Sequence, residues 1–114
     1  MPDDCLFCKM AAGDVPVDKL RDDDVLFAIR DIHPRTPTHV LIVPKEHIPS
    51  ALVLDESHAP LLGHMFKSAA ELAHELGIAE KGFRLAFNVG DYGSQTIYHL
   101  HLHLLGGRPL GPEG

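Results

Sequence analysis

The chain has 114 residues, with 10 lysines and arginines, 16 aspartates and glutamates, 9 histidines and a formal net charge of −6. This length suits one domain over residues 1–114, with residues 106–114 as a C-terminal tail. The excess of acidic over basic residues argues against a protein that binds in a nucleic-acid groove, because such a protein needs a basic surface. No apolar run approaches the roughly 18 residues of a membrane-spanning helix, so we expect no membrane partner. The acidic start, residues 1–4, differs from a signal peptide, and we expect a cytoplasmic protein.

The first half of the chain predicts one short helix followed by three strands. The predicted ranges are 5–12 for the helix and 17–21, 25–30 and 39–43 for the strands. Three aspartates, Asp22–Asp24, form a turn between the first two strands. The third strand is short, apolar and β-branched, which is typical of a buried central strand.

The second half predicts one long helix and two further strands. Apolar residues at spacings of three and four give the helix a single apolar stripe: Leu62, Met65, Phe66, Ala69, Leu72, Ala73 and Leu76. Pro60 suits the first turn of this helix and Gly77 the position after its end. A glycine-rich loop, 90–95, separates strand 83–88 from strand 98–105. Five strands and two helices in a non-alternating order predict an α+β domain with a mostly antiparallel sheet.

The last predicted strand carries three histidines in alternation, His99, His101 and His103. Side chains alternate between the faces of a strand, so all three would share one face, with about 6.6 Å between successive Cα atoms. Tyr98 and the intervening leucines would then pack into the core. The spacing alone fits a polar strand face, part of a metal site, or catalysis by a neutral imidazole nucleophile.

The loop before the histidines is rich in hydrogen-bond donors. Asn88, Ser94, Gln95 and Thr96 offer side-chain donors, and its glycines let backbone N–H groups approach a ligand closely. The alternative is a plain hairpin loop, which would need neither Gln nor Thr. Donors beside nucleophile candidates favour phosphoryl chemistry over a bare metal site.

Cys5 and Cys8 form a C-x-x-C pair. The pair by itself fits a redox couple, half of a zinc site or two unrelated small residues. A stable disulfide is not expected in a cytoplasmic protein, and no thioredoxin-like βαβ pattern surrounds the pair. A four-coordinate zinc would need two further ligands.

Several motifs, in one order along the chain, resemble the histidine triad (HIT) superfamily. The terminal run His99–Leu105 matches the family's H-φ-H-φ-H-φ-φ signature, where φ is apolar. Similar segments precede and follow it: Asp31–Pro34, Pro37–His39, Val43–Ile48, Leu62–His64, Asn88–Gly90, Gly93–Tyr98 and Gly106–Arg108. The chain is most similar to the HINT branch, the nucleoside phosphoramidate hydrolases, over nearly its whole length.

The resemblance implies a fold and an activity. The family fold is a five-stranded antiparallel sheet with two helices, paired into a homodimer with a continuous ten-stranded sheet. The family activity is hydrolysis of nucleoside 5′-monophosphates, here expected to be purine (AMP-type) nucleotides, that carry an amine or another leaving group. The reaction proceeds through a covalent nucleotidyl-histidine intermediate.

The resemblance also implies roles for individual residues around the phosphate. His101 would be the nucleophile, His103 would donate to the phosphate oxygens and His99 would orient its neighbours. Thr96 would bond the phosphate or the leaving amine and relay a proton. Asn88 and Gln95 would bind the phosphate, and Ser94, a donor in the same loop, is a further candidate for substrate binding.

The nucleoside end would be held by an acid and by apolar residues. Asp31 matches the family acid that binds the ribose hydroxyls, and the alternative is a turn aspartate before Pro34. The apolar positions that enclose the base correspond to Phe7, Met10, Ile29 and Ile32, which are otherwise plain core residues. For the cysteine pair, similar bacterial proteins imply a structural zinc ion held by Cys5, Cys8, His47 and His99.

The chain departs from the animal members of the branch because it has no Trp in its tail and carries the cysteine pair. Two other functions stay open. One is a dinucleoside polyphosphate hydrolase, similar to the Fhit branch, that uses the same histidine. The other is a non-enzymatic, zinc-dependent nucleotide-binding dimer with a regulatory role.

Overall fold

The fold is built on one antiparallel sheet of five strands with two helices. The structure is a computed structural model that describes residues 4–114. The elements in chain order are α1 (Leu6–Ala12), β1 (Arg21–Asp22), β2 (Leu26–Arg30), β3 (Thr38–Pro44), α2 (Ala59–Glu75), β4 (Phe83–Ala86) and β5 (Leu102–Gly106). Two short 3₁₀ turns, Ala51–Val53 and Glu56–His58, precede α2. The predicted α+β class, with five strands and two helices, is confirmed.

The sheet has the order β1-β2-β3-β5-β4, with every neighbouring pair antiparallel. Side chains of successive residues on its central strands enter two separate apolar clusters. Leu26, Ala28, Val40 and Ile42 belong to the cluster that includes α2 residues such as Leu72. The larger hydrophobic groups of this cluster each contribute about 1.5–3 kcal/mol on full burial.

The opposite face of the sheet packs against α1. Phe27, Ile29, Leu41 and Val43 join Phe7 of α1 in the second cluster. Because α2 packs on the first face, both faces of β2 and β3 are covered.

The turn before β2 forms as predicted, because the Asp23 carboxylate accepts hydrogen bonds from two following backbone N–H groups.

The structure confirms most of the apolar stripe that was predicted for α2. Met65, Ala69 and Leu72 are buried, and Gly77 follows the helix with a φ of 77°, a left-handed conformation that glycine adopts without strain. The stripe is wrong at Phe66, whose side chain is 42% exposed, and Ser68, which is outside the predicted stripe, is buried. The buried face is therefore rotated slightly from the predicted one.

Three strands differ from their predicted ranges by two residues or more. One of them, β4, was predicted over 83–88 and ends at Ala86. The other two are the first and the last. The first is only Arg21–Asp22, because Val17 packs in the α1 cluster and leaves the sheet. The last begins at Leu102, since the chain bends over residues 97–99 and the N–H of Leu100 donates to the Ile48 carbonyl oxygen, outside the sheet. Gly106, predicted to start the tail, is instead the final residue of β5.

Over residues 4–114, none of the helices combines the length and apolar character needed to span a bilayer.

Candidate active site

A cavity of about 550 Å³ lies on the α1 side of the sheet. One row of register partners crosses the sheet beneath it: Ile29 of β2, Leu41 of β3, His103 of β5 and Ala86 of β4. All four side chains line the cavity. The rigid sheet therefore forms its floor, while α1 and the loops form its walls.

Most of the predicted site residues meet in this cavity. Ten of them line it: Phe7, Met10, Ile29, Asp31, Ile32, Asn88, Ser94, Thr96, His101 and His103. Gln95 and His99 do not line it. The predicted common face for the three histidines is thus wrong for His99, because the bend over residues 97–99 turns its ring away from the cavity. Tyr98 is 50% exposed and so is not a core residue either.

His101 is held in one orientation by its own backbone neighbour. Its Nδ1 atom lies 2.7 Å from the carbonyl oxygen of His99. A carbonyl oxygen only accepts, so the neutral ring carries its proton on Nδ1 and leaves the Nε2 lone pair available. Burial lowers the pKa of His101 from its ordinary value. The edge of the Phe7 ring, with 5.2 Å between ring centroids, supports the imidazole from the other side. His101 therefore presents an unprotonated nitrogen at neutral pH.

His39 of β3 fixes the orientation of the His103 ring. The sequence had not predicted His39 as a site residue. The backbone N–H of Arg35 donates to His39 Nδ1 at 3.1 Å. The His39 proton is therefore on Nε2, which lies 2.9 Å from His103 Nδ1. His103 must accept there, so its own proton is on Nε2. Asn88 Nδ2, 3.4 Å from this atom, is also a donor and does not accept from it, so the two N–H groups lie side by side at the cavity. This chain of hydrogen bonds makes His103 Nε2 a donor.

Burial is the largest cause that lowers the pKa of His103, to about 4, and the neighbouring His101 and His39 lower it further. Burial also lowers the pKa of His39, although Asp31 opposes this. The signal for His39 in the sequence was a titratable residue at the start of an otherwise apolar buried strand. A buried polar side chain of this kind needs partners, and His103 and Arg35 provide them.

Asp31 forms the predicted turn and also lines the cavity. One carboxylate oxygen accepts from the N–H of His33 at 2.8 Å, which forms the predicted turn. The other lies 3.5 Å from His39 Nε2, and the residue lines the cavity. The carboxylate is only partly buried, so an incoming polar ligand can reach it.

The apolar residues that were predicted to enclose the base lie partly in the core beside the cavity and partly at the cavity rim. Phe7 and Ile29 are buried core residues that also line the cavity, while Met10 is half-buried. Ile32 is 86% exposed at the rim and therefore is not a core residue. An apolar side chain in this position can cover a flat ligand that enters beside Phe7.

The glycine-rich loop is held by Gln95, a residue that was predicted to contact phosphate and that lies outside the cavity lining. Its side-chain amide donates to the carbonyl oxygens of Pro49 and Ile97, and its oxygen accepts from the N–H of Gly90. Both donor hydrogens are used, and the side chain is buried, so it positions the loop and offers no donor to a ligand. Ser94, with a φ of 64°, and Thr96 lie on the cavity side.

A second cluster lies behind His101, where α1 meets the segment before β5. Ligand atoms of Cys5, Cys8, His47 and His99 all lie within 4.8 Å of one another. His99 Nδ1 is 3.2 Å from Cys5 Sγ and 3.2 Å from His47 Nδ1, and Cys8 Sγ is 3.4 Å from His47 Nδ1. Two sulfurs and two nitrogens at such separations can hold a metal ion.

The chemistry of these donors fits a soft divalent metal. Zinc bonds of about 2.0–2.3 Å in a tetrahedron give ligand separations of about 3.3–3.8 Å, close to those observed. His99 Nε2 lies 2.7 Å from the Pro44 carbonyl oxygen, which fixes its proton there and leaves Nδ1 as the ligand atom. Burial and Cys5 raise the pKa of Cys8 to about 11 in the absence of a cation. A bound metal would reverse this by stabilising the thiolate.

The chain matches known proteins over nearly its whole length. Residues 12–110 match the HIT domain family. The purine nucleoside phosphoramidase of Escherichia coli (strain K12) is 45% identical over 112 residues, covering 98% of this chain and 94% of that protein. The crystal structure of a HIT family hydrolase from Legionella pneumophila Philadelphia 1 superposes with a TM-score of 0.95 at 45% identity, covering 97% and 100% of the two chains. A zinc-bound histidine triad family protein from Mycobacterium smegmatis gives a TM-score of 0.78 at 30% identity, covering 92% and 76%.

Proposed function

The chain belongs to the HIT domain family, and from this premise we propose that it hydrolyses purine nucleoside 5′-phosphoramidates through a nucleotidyl intermediate on His101. The observation that carries the proposal is the 2.7 Å contact between His101 Nδ1 and the His99 carbonyl oxygen, which leaves Nε2 free to attack. The activity of the Escherichia coli relative, a purine nucleoside phosphoramidase, supports the substrate class.

In the first step the lone pair of His101 Nε2 forms a bond to the α-phosphorus. The phosphorus–nitrogen bond of the substrate breaks, and its electron pair stays on the leaving nitrogen. That nitrogen needs a proton to depart as a neutral amine, and Thr96, which is exposed on the cavity wall, can pass one from water. In the second step water attacks phosphorus and loses a proton to solvent, and the His101–phosphorus bond breaks. Its electron pair returns to Nε2, and AMP is released.

The phosphoryl oxygens gain negative charge during both displacements. His103 Nε2–H, oriented by His39, is the donor best placed to stabilise this charge, and Asn88 lies beside it. Ser94 adds a hydroxyl on the same wall. Fixed donors of this kind do not need to reorient as the reaction proceeds, which is the main source of their effect.

The nucleoside end of the substrate fits the other half of the cavity. Asp31, with one oxygen directed toward His39, can accept hydrogen bonds from the two ribose hydroxyls. Phe7, Met10, Ile29 and Ile32 supply apolar surface for a purine ring. Purine specificity is supported by the relative's activity.

We also propose that the metal at Cys5, Cys8, His47 and His99 is zinc, in a structural role. The zinc-bound relative from Mycobacterium smegmatis and the S₂N₂ donor set support this choice. The ion would tie α1 to the segment that carries His101. Thiols that serve as metal ligands must stay reduced, which favours the cytoplasm as the location.

A homodimer formed through β4 completes the proposal. The outer edge of β4, Phe83–Ala86, has no partner strand among residues 4–114, whereas β1, at the other edge, is only two residues long. Next to β4, the half-exposed Phe66 packs edge-on against Phe87, with 6.1 Å between ring centroids. Pairing of two β4 edges would cover this apolar patch, and sedimentation analysis of Phe66→Asp against wild type tests it.

The test of function is release of AMP from adenosine 5′-phosphoramidate. We expect wild type to turn over and His101→Ala to lose at least about 10³-fold in kcat, because the attacking nitrogen is removed. His64→Gln, a histidine outside the cavity on α2, is the matched control and should keep wild-type activity. Wild type that binds AMP but releases none from the phosphoramidate would support a binding protein instead. Faster cleavage of diadenosine polyphosphate would support the Fhit-like alternative.

A further inference from the structure

The turn that follows β5 packs against the loop that precedes β3. Nη2 of Arg108 donates to the carbonyl oxygen of Arg35 at 3.0 Å. Gly107 has a φ of 96°, and a Cβ atom there would lie 2.9 Å from Pro37 Cβ. Glycine fits this position because any other residue would be strained by the positive φ and would press on Pro37. We call the contact of Gly107 and Arg108 with Arg35 and Pro37 the clamp.

The clamp holds the residue that fixes the His39 ring. Arg35 is bonded through both of its backbone groups, because its carbonyl oxygen accepts from Arg108 and its N–H donates to His39 Nδ1 at 3.1 Å. His39 Nε2 in turn donates to His103 Nδ1 at 2.9 Å. Three hydrogen bonds thus connect the Arg108 guanidinium to the proposed phosphate donor.

The bond from Arg108 differs from the other side-chain bonds of this loop. On one side of Arg35 the N–H of His33 donates to a carboxylate, and on the other side Thr36 Oγ1 donates to a backbone carbonyl oxygen. Neither bond involves the N–H or the carbonyl group of Arg35. The bond from Arg108 does, and its charged donor makes such a bond roughly twice as strong as one between neutral groups. Loss of Arg108 should therefore loosen Arg35 in particular.

We propose that Arg108 is a positioning residue: the clamp, acting through His39, keeps the proton of His103 on Nε2. This rests on the proposed phosphoramidate hydrolysis, in which His103 Nε2–H stabilises charge on the phosphoryl oxygens. Arg108 also lines the cavity, so the competing role is a direct contact with the bound nucleotide. The two roles differ in kinetics, because a positioning residue lowers kcat, while a contact made equally to substrate and transition state lowers KM and its loss raises KM.

A double-mutant cycle with His39 tests this path. Arg108→Ala should lower kcat for adenosine 5′-phosphoramidate by about tenfold in the wild-type background, with KM changed less than about twofold. In the His39→Leu background the same substitution should change kcat by less than about twofold, because the ring that the clamp orients is absent. Arg108→Lys keeps a cationic donor and should lose about threefold or less. Additive effects of Arg108→Ala and His39→Leu, or an effect of Arg108→Ala on KM alone, would overturn the positioning role.

The tautomer of His103 is a second readout, which needs no substrate. The nitrogen NMR shifts of its ring should show the proton on Nε2 in wild type and a mixture of the two tautomers in Arg108→Ala. Gly107→Ala, which pushes the loop away at Pro37, should move the shifts in the same direction, and Arg108→Lys should restore the wild-type shifts. Unchanged shifts in both Arg108→Ala and Gly107→Ala would overturn the clamp.

Two substitutions of other cations are the controls. Arg84 lines the same cavity and donates to the Gly111 carbonyl oxygen at 2.6 Å, so Arg84→Ala removes a nearby positive charge and a tail contact but leaves the clamp in place. It should keep the wild-type tautomer of His103. Lys81 is exposed and outside the cavity lining, and Lys81→Ala should keep both the tautomer and the kinetics. Wild type that releases no AMP would overturn the hydrolase function, while the tautomer would still show whether the clamp orients His103.

Discussion

The Nδ1 atom of His101 lies 2.7 Å from the carbonyl oxygen of His99, and this contact joins the proposed nucleophile to the metal-ligand cluster. The His99 ring faces Cys5, Cys8 and His47, while its backbone oxygen holds the His101 ring. The side chain of His99 thus belongs to the metal-ligand cluster, while its carbonyl oxygen orients the His101 ring in the cavity. The orientation of the nucleophile therefore depends on the cluster.

Removing a metal ligand should consequently lower both metal content and activity. Cys8→Ser replaces a buried sulfur ligand, and we expect metal affinity to fall at least about 100-fold. We expect kcat to fall about tenfold, because His99 is then less firmly held and His101 loses its fixed acceptor. Elemental analysis and phosphoramidate kinetics measure the two effects. His74→Gln, an exposed histidine on α2, should retain both metal and activity. Full activity after complete metal removal would contradict the link.

His39 should act through the tautomer of His103. His39→Leu removes the donor to His103 Nδ1, and we expect kcat to fall about 100-fold, the order found when one stabilising donor is lost. His39→Gln places an amide N–H near the same point and should lose about tenfold or less. The nitrogen NMR shifts of the His103 ring report which atom holds the proton. Equal activity of the Leu and Gln variants, with an unchanged His103 tautomer, would exclude this role.

The low pKa of His103 predicts a pH-dependent stability. His103 has a pKa of about 4 in the folded protein, against an ordinary value of 6.5. Between these values the unfolded chain binds a proton that the folded protein does not, so the free energy of unfolding falls as pH falls from 6.5 toward 4. The contribution is at most about 3 kcal/mol and is reduced by partial exposure of the ring.

Urea unfolding of wild type and His103→Asn at several pH values measures this term. The variant should lose less stability than wild type between pH 6.5 and 4.5, since it lacks the group that titrates. The exposed-histidine control His74→Gln should follow wild type. A His103→Asn curve parallel to that of wild type would show that the imidazole titrates normally in the fold.

Gly93 should be needed for the loop beside the phosphate. A Cβ atom at this position would lie 2.4 Å from the Val89 carbonyl oxygen, which is backbone and so forces the loop to shift. We expect Gly93→Ala to lower kcat/KM by tenfold or more by displacing Ser94 and Thr96. Gly63→Ala is the matched control, because a Cβ there meets nothing within 4 Å and the site lies within α2. It should raise stability by about 0.5–1 kcal/mol and leave activity intact.

The parts of the fold that were predictable from sequence are those where burial alone decides the structure. The apolar run around Val40–Val43 forms the central strand β3, and the period of the long helix places Met65, Ala69 and Leu72 in the core. In both segments burial follows a pattern within the segment itself, so the local sequence contains the needed information. The wrong position for Phe66 arises because the sheet covers a narrower stripe than the full apolar face.

The arrangement of the site was less predictable, because it depends on contacts between distant segments. Alternation placed His99 on the same face as His101, but the pairing of Leu100 with Ile48 bends the chain and turns His99 toward the cysteines. Gln95 looked like a phosphate donor, although its amide is used by the Pro49 carbonyl oxygen, 46 residues earlier in the chain. No local spacing encodes these contacts. The resemblance to the HIT family supplied the residues of the cavity as a group, while only the structure gives the two histidine tautomers.

The central claim is a covalent bond between His101 and the nucleotide's phosphorus, and rapid-quench mass spectrometry tests it most directly. Wild type mixed with adenosine 5′-phosphoramidate and quenched under conditions that preserve phosphorus–nitrogen bonds should gain the mass of one adenylyl group. Peptide mapping should place that group on His101, and His101→Ala should show none. An adduct on His99 or His103, or AMP release with no adduct at any time during turnover, would contradict the account.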